Sequence, residues 1–210
     1  MTMRKVLLFS TTLFALVLSS QAQRLGVKAG YVNSTWGGDY IDADEKKSNN
    51  GFLVGLVGEV GLASQLYFQP HLQFVRKGVR VDHGDHMDNL NVSTVDLPLN
   101  LVYKTKGAGS KFFAGTGPQL GLNVGARAVN KEENENEKLV IGTGANADLK
   151  PIDFGWNFLA GIEMSNNLFL SANYALGIAN QAANAGNRKA RSNYFGFSVG
   201  YFLGGSKTKK

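Results

Sequence analysis

Three histidines supply all the imidazole in this chain, and cysteine is absent. Two of the three, His83 and His86, fall in the segment Asp82-His83-Gly84-Asp85-His86-Met87-Asp88. Imidazole and carboxylate are both zinc ligands, so His83, Asp85 and His86 form a weak metal candidate. A metal centre also needs defined geometry and outer partners that orient its ligands. A polar loop supplies neither, so the expectation is a solvated loop with no metal and no cofactor. Without cysteine there is no disulfide, thiolate metal site or thiol nucleophile. His71 is the remaining imidazole. Ser171 and Ser198 share its side of an alternating pattern, but no serine is placed beside it. Nucleophilic catalysis requires nucleophile, base and orienting group within hydrogen-bond reach. The expectation is therefore no catalytic residue and no enzyme.

The remaining polar chemistry is a set of charges and amides: Lys28, Glu59, His71, Asp96, Asn100, Asn123, Arg127, Asn157 and Glu163. Each lies in a segment where polar or small residues alternate with bulky apolar ones. That period of two is the signature of strands. In Asp153 to Met164, Phe154, Trp156, Phe158, Ala160, Ile162 and Met164 share one face; Asp153, Gly155, Asn157, Leu159, Gly161 and Glu163 share the other. Leu168–Asn180 and Tyr194–Leu203 repeat the pattern. Earlier strands are predicted at about Leu25–Ser34, Gly51–Leu62, Leu66–Arg80, Val92–Lys104 and Lys111–Ala128. Helical spacing fits these windows worse, and their frequent glycines would each weaken a helix by roughly 1 kcal/mol.

Connections alternate in length. Ala63–Gln65, Thr105–Ser110 and Ser165–Asn167 are short; Thr35–Asn50, Val81–Asn91, Val129–Pro151 and Gln181–Arg191 are long and polar. Leu139–Ile141, inside the longest connection, could extend a hairpin or add strands. Short turns at one end and long loops at the other are the pattern of a membrane β-barrel. The fold expected is all-β: an eight-stranded antiparallel up-and-down transmembrane barrel. Its polar face is rich in glycine (Gly115, Gly117, Gly121 and Gly125 on one strand) and suits a narrow lumen. The bulky face suits lipid. On it, Tyr31, Phe52, Phe154, Trp156 and Phe195 fall toward the long-loop end, and Phe68, Tyr103, Phe112 and Tyr201 toward the short-turn end. Two aromatic girdles at headgroup level are what such a barrel carries. Inward charges must pair or stay hydrated, so Lys28, Glu59, Asp96 and Glu163, with Arg127 near the outer rim, are expected to form a lumen network.

The chain opens with Arg4 and Lys5, an apolar run from Val6 to Leu18, and small residues at Ser20 and Ala22. This is the layout of an export signal. The run of 13 residues is shorter than the ~20 a spanning helix needs. Cleavage is expected after Ala22, dividing the chain into a signal peptide (1–22), a barrel (23–203) and a basic periplasmic tail (204–210) that carries Lys207, Lys209 and Lys210. Loss of Arg4 and Lys5 leaves 20 basic and 16 acidic residues, a net +4. The excess is dispersed, which does not suggest nucleic acid. Acidic positions gather in the long loops, at Asp39, Asp42, Asp44 and Glu45 and along Lys131–Lys138, and charge runs ordinarily mean solvation. Expected partners are outer-membrane lipid and lipopolysaccharide, with the barrel-assembly machinery during insertion; no specific protein partner is indicated.

Several segments resemble a family of Bacteroidota-type outer-membrane β-barrels described as PorT-like or "porin family". They are Gly26-Val27-Lys28-Ala29-Gly30-Tyr31, Gly51-Phe52-Leu53-Val54-Gly55-Leu56, Gln69-Pro70-His71 through Lys77-Gly78, and Val95-Asp96-Leu97-Pro98-Leu99-Asn100-Leu101. The resemblance covers about residues 24–203. It implies an outer-membrane barrel and no catalytic residues. Gly196, Val199 and Tyr201 resemble a barrel-assembly signal, although the chain continues past them to Lys210. The function expected is structural, anchoring or surface-interacting, with side chains filling the lumen. A passive channel for ions or small solutes is the alternative, and a soluble lipocalin-like carrier the third.

Overall fold

A computed structural model describes residues 23–39, 41–42, 44–82, 84, 87–107, 109–130, 135–184 and 188–203. The signal segment, the basic tail, and His83, Asp85 and His86 lie outside them. Nine strands follow in order: β1 (Gln23–Gly37), β2 (Lys46–Gly61), β3 (Leu66–Asp82), β4 (Met87–Lys104), β5 (Lys111–Asn130), β6 (Glu135–Lys138), β7 (Ile152–Glu163), β8 (Leu168–Gly177) and β9 (Arg191–Leu203). Every strand pairing is antiparallel. β1 pairs with both β2 and β9, and β4 with both β3 and β5, so eight strands close a ring; β6 adds only to the edge of β5. Closure leaves no free edge in the wall, which removes the unpaired N–H and C=O rows that an open sheet presents.

Side chains segregate as the period of two demands. Trp156, Phe158, Leu170 and Val199 are outward, 37%, 46%, 44% and 48% exposed. Asp153, Asn157, Leu159 and Glu163, their alternates on β7, are buried. Most of the bulky apolar residues therefore face outward around the ring, while a smaller set that includes Leu159 packs inside it.

The strands run further than the alternation indicates at the long-loop end. β1 continues to Gly37, β2 starts at Lys46 and β4 at Met87, reducing two long connections to residues 38–45 and 83–86. The added residues are mostly polar on both faces, so hydropathy does not mark them, yet their ladder pairing continues through Asn33↔Asn50, Ser34↔Asn49 and Gly78↔Asn91. The added strand in the longest connection is Glu135–Lys138, paired with Arg127–Asn130. Leu139 and Ile141 pack instead on an apolar cluster inside the mouth.

Glycines shape the interior at two tight places. A Cβ on Gly161 would lie 2.4 Å from Phe113 Cζ, and one on Gly200 would lie 2.2 Å from Phe169 Cζ and 2.6 Å from the Val27 carbonyl oxygen. Each inward glycine makes room for a ring from a neighbouring strand. Overpacking a filled core costs ~1–3 kcal/mol. Gly200→Ala is therefore expected to lower the unfolding free energy of the refolded barrel by that much in a urea titration read by heat-modifiable electrophoretic migration, whereas Gly144→Ala, with nothing within 4 Å, leaves it unchanged.

Candidate functional site in the barrel lumen

The lumen is built in layers from inward positions of all eight wall strands. At the short-turn end, Arg24 of β1, Glu59 of β2, Lys104 of β4 and Glu163 of β7 meet. Arg24 Nε donates to Glu59 Oε1 at 3.0 Å, and its Nη1 and Nη2 donate to the two oxygens of Glu163 at 2.5 and 2.9 Å. Lys104 Nζ donates to Glu163 Oε2 at 2.6 Å and pairs with Glu59. Gln69 Nε2 donates to the second oxygen of Glu59. Two cations and two carboxylates thus close a cycle. Aromatic faces support it: the Arg24 guanidinium lies 4.1 Å from the Phe202 ring centre, and Lys104 Nζ lies 5.0 Å from that of Tyr67. Cations are attracted to such faces.

Above the cycle is an apolar layer of Val57, Val102, Phe113, Leu159, Phe169 and Phe202. Phe169 and Phe202 stack with centres 4.9 Å apart. A polar layer follows. Lys28 Nζ lies 3.1 Å from His71 Nδ1. Asn157 Nδ2 donates to Asn100 Oδ1 at 2.8 Å, and Asn173 Nδ2 to Asn157 Oδ1 at 3.2 Å. Higher still, Lys77 Nζ donates to Asp153 Oδ2 at 3.0 Å and lies 3.7 Å from Asp96. Gln119 Nε2 donates to Asp96 Oδ2, and Gln73 Nε2 to Tyr194 Oη, both at 2.9 Å.

The long-loop mouth is capped. Trp36, Val79, Val92, Ala126, Leu149, Ala182 and Ala190 form an apolar cluster, with the β5–β7 and β8–β9 connections folded onto it. Asn184 Nδ2 donates to the carbonyls of Ala145 and Ala147, and Lys150 N–H to that of Gln181. Gln181 reaches down from its loop: its Nε2 donates to Asp153 Oδ1 at 2.8 Å, and its Oε1 accepts from Asn123 Nδ2 at 2.7 Å. The cap is thereby tied to the charged layer beneath it.

Of the polar residues singled out from the sequence, Lys28, Glu59, His71, Asp96, Asn100, Asn123, Asn157 and Glu163 are buried. They divide among three levels and do not form one cluster. Arg127 is a correction, because it is exposed on the outer face. A β-bulge opposite Ser93 and Thr94 inserts a residue into β5, so that Asn123 and then Ala126 point inward. An extra residue reverses the alternation beyond it. Arg24, Lys77, Lys104, Gln69, Gln73, Gln119 and Gln181 also contribute to the lumen and are not among the residues singled out from the sequence, whereas Tyr194 lies on the inward face that its alternation indicates. Strand parity alone places Gln69, Gln73 and Lys77 beside His71, and Lys104 beside Asn100. Arg24 fell before the assumed strand start, and Gln181 is in a loop, where parity has no meaning.

All nine girdle aromatics sit on the outer face, Phe68 half-buried and the others exposed. Two of them are anchored by polar atoms: Tyr31 Oη donates to Asn50 Oδ1, and Trp156 Nε1 to Thr116 Oγ1, both at 2.6 Å. Among the described residues no three His, Asp or Glu side chains converge as metal ligands, and the only polar contact of His71 among them is to Lys28.

A closed ring with a bulky apolar exterior and a charged, filled interior has a counterpart among known proteins. The profile of the "Outer membrane protein beta-barrel domain" family matches residues 20–183. The chain belongs to that family. Solved outer-membrane proteins are similar to it. Neisserial surface protein A is 14% identical with a TM-score of 0.50, over 84% of this chain and 96% of its own. OprG of Pseudomonas aeruginosa is 12% identical with a TM-score of 0.49, over 88% and 97%. The outer membrane enzyme PagL is 14% identical with a TM-score of 0.46, over 84% and 98%. No curated protein matches. The bulky apolar residues in the middle of the strands are thus the outer face of an outer-membrane barrel.

Breaking a buried ion pair by removing one partner costs ~3–5 kcal/mol, because the other charge stays buried. Lys104→Met is expected to destabilise the barrel by about that amount in urea unfolding, against less than ~0.5 kcal/mol for Lys106→Met at an exposed turn position. In the loops, the Lys189 backbone N–H donates to Asp39 Oδ1 at 2.6 Å, and this bond holds the Asp39 carboxyl below the usual range. A depressed carboxyl contributes above its unfolded pKa and loses that contribution as pH falls through the folded one. Protection of the Lys189 amide from hydrogen exchange, relative to the unstructured rate at each pH, is therefore expected to hold at neutral pH and to be lost only in strong acid; Asp39→Asn, which removes the charge from the acceptor, should lower that protection at neutral pH.

Proposed function

We propose that this outer-membrane barrel is a non-conducting anchor that presents its long loops at the cell surface. The observation that carries the reading is the filled lumen: paired charges, an aromatic layer, a second charged layer and an apolar cap follow one another along the axis. Arg24, Lys28, Lys77 and Lys104 face Glu59, Asp96, Asp153 and Glu163 inside the wall, so formal charge balances and neither sign is left to draw ions through. Eight strands leave an interior that side chains fill. The export-signal pattern of residues 1–22 and the even number of wall strands support cleavage after Ala22, both termini in the periplasm and the long loops outside. The aromatic girdles suit the headgroup levels of the two leaflets, with lipopolysaccharide around the loop end. The strand motifs support membership of the PorT-like branch.

A passive channel is the second reading, favoured by the eight charged groups along the axis, since charged rings tune real pores. Planar-bilayer recording of the purified barrel distinguishes the two. The anchor reading predicts a flat baseline at all voltages for the wild type, with openings appearing in Lys104→Met if the short-turn cycle is the tighter seal. Steady single-channel steps from the wild type would establish the channel instead.

A further inference from the structure

Between the aromatic layer and the Lys77 layer lies a small void lined by Lys28, His71, Gln73, Asn157, Ser171 and Asn173. It offers about 10 Å³ of free space, close to the ~10–15 Å³ that one water requires. Two polar atoms of these lining residues have no other partner. An ammonium only donates, so His71 Nδ1, 3.1 Å from Lys28 Nζ, is an acceptor. The ring proton is thereby assigned to Nε2, which is buried without a partner. Gln73 donates through Nε2 to Tyr194, leaving its Oε1 buried without a partner. The Lys28 ammonium keeps two further N–H groups, and among the described residues it makes no ion pair.

We propose that this void is a binding site for one water molecule, which accepts from Lys28 and His71 and donates to Gln73. Three features select water over a small anion. The site presents an acceptor as well as donors, and a halide cannot donate. The space suits a water and is tight for anything larger. The lumen charges already balance, so a bound anion would introduce an uncompensated buried charge. Buried waters typically make about three hydrogen bonds to groups otherwise unsatisfied, the number offered here.

The test is a high-resolution crystal structure of the refolded wild-type barrel, with a second crystal soaked in sodium bromide. One peak within hydrogen-bond distance of Lys28 Nζ, His71 Nε2 and Gln73 Oε1, with no anomalous signal after the soak, is the expected result. A bromide anomalous peak at that position would make it an anion site and overturn the proposal, as would density showing the void closed by side chains. His71→Phe keeps a ring and removes the Nε2 donor. The peak should weaken or move in that variant, and an unchanged peak would also overturn the assignment.

Discussion

Inside a bilayer there is no water to satisfy a backbone N–H or C=O, and each one left unpaired costs several kcal/mol. No helix among the described residues is long and apolar enough to cross a membrane, so a strand ring has to meet that constraint. It does so by joining β1 to β9 and β4 to β5 in one continuous ladder. Everything else follows from closure. One face of every strand must be apolar and the other must crowd around a narrow axis. On that axis, polar groups have to find partners among themselves.

The interior solves this in two ways. At each charged level, a residue from one wall strand meets opposite charges from strands far away in sequence: Arg24 and Glu163 are 139 positions apart, and Lys77 and Asp153 are 76 apart. These pairs can form only when the ring has closed, so they report on and favour the closed state. Between the levels, rings from one strand fill space left by glycines on another, as Phe113 does over Gly161 and Phe169 over Gly200. The lumen is therefore filled by side chains from every wall strand, and its composition is mixed.

Strand identity and facing were legible because the middle of each strand alternates strongly between bulky apolar residues and small or polar ones. Phe154 and Trp156 against Asp153 and Asn157 leave little doubt about which side is which. Legibility faded where that alternation stops. Above the belt, residues such as Asn33, Asn49 and Asn91 face water on one side and other polar groups on the other, so hydropathy is silent while the ladder runs on. The bulge in β5 is equally invisible, because Val124, Gly125 and Ala126 give no sign that one of them is supernumerary; this is why Arg127 was assigned to the wrong side. The partners of each inward charge depend on the register between strands distant in sequence, which a single chain does not encode locally. Gln181 shows the extreme case, a loop residue whose lumen role exists only because its loop folds back into the mouth.

The central claim, that the bulky apolar face meets lipid while the mouth and axis are packed shut, is tested most directly by the two tryptophans. Trp156 projects from the outer face, and Trp36 is buried in the cap. In vesicles containing brominated phospholipid, a Trp36→Phe barrel should show strong quenching of Trp156 by the lipid and little by aqueous iodide, whereas a Trp156→Phe barrel should show Trp36 shielded from both. Trp156 shielded from brominated chains, or Trp36 freely quenched by iodide, would contradict the account.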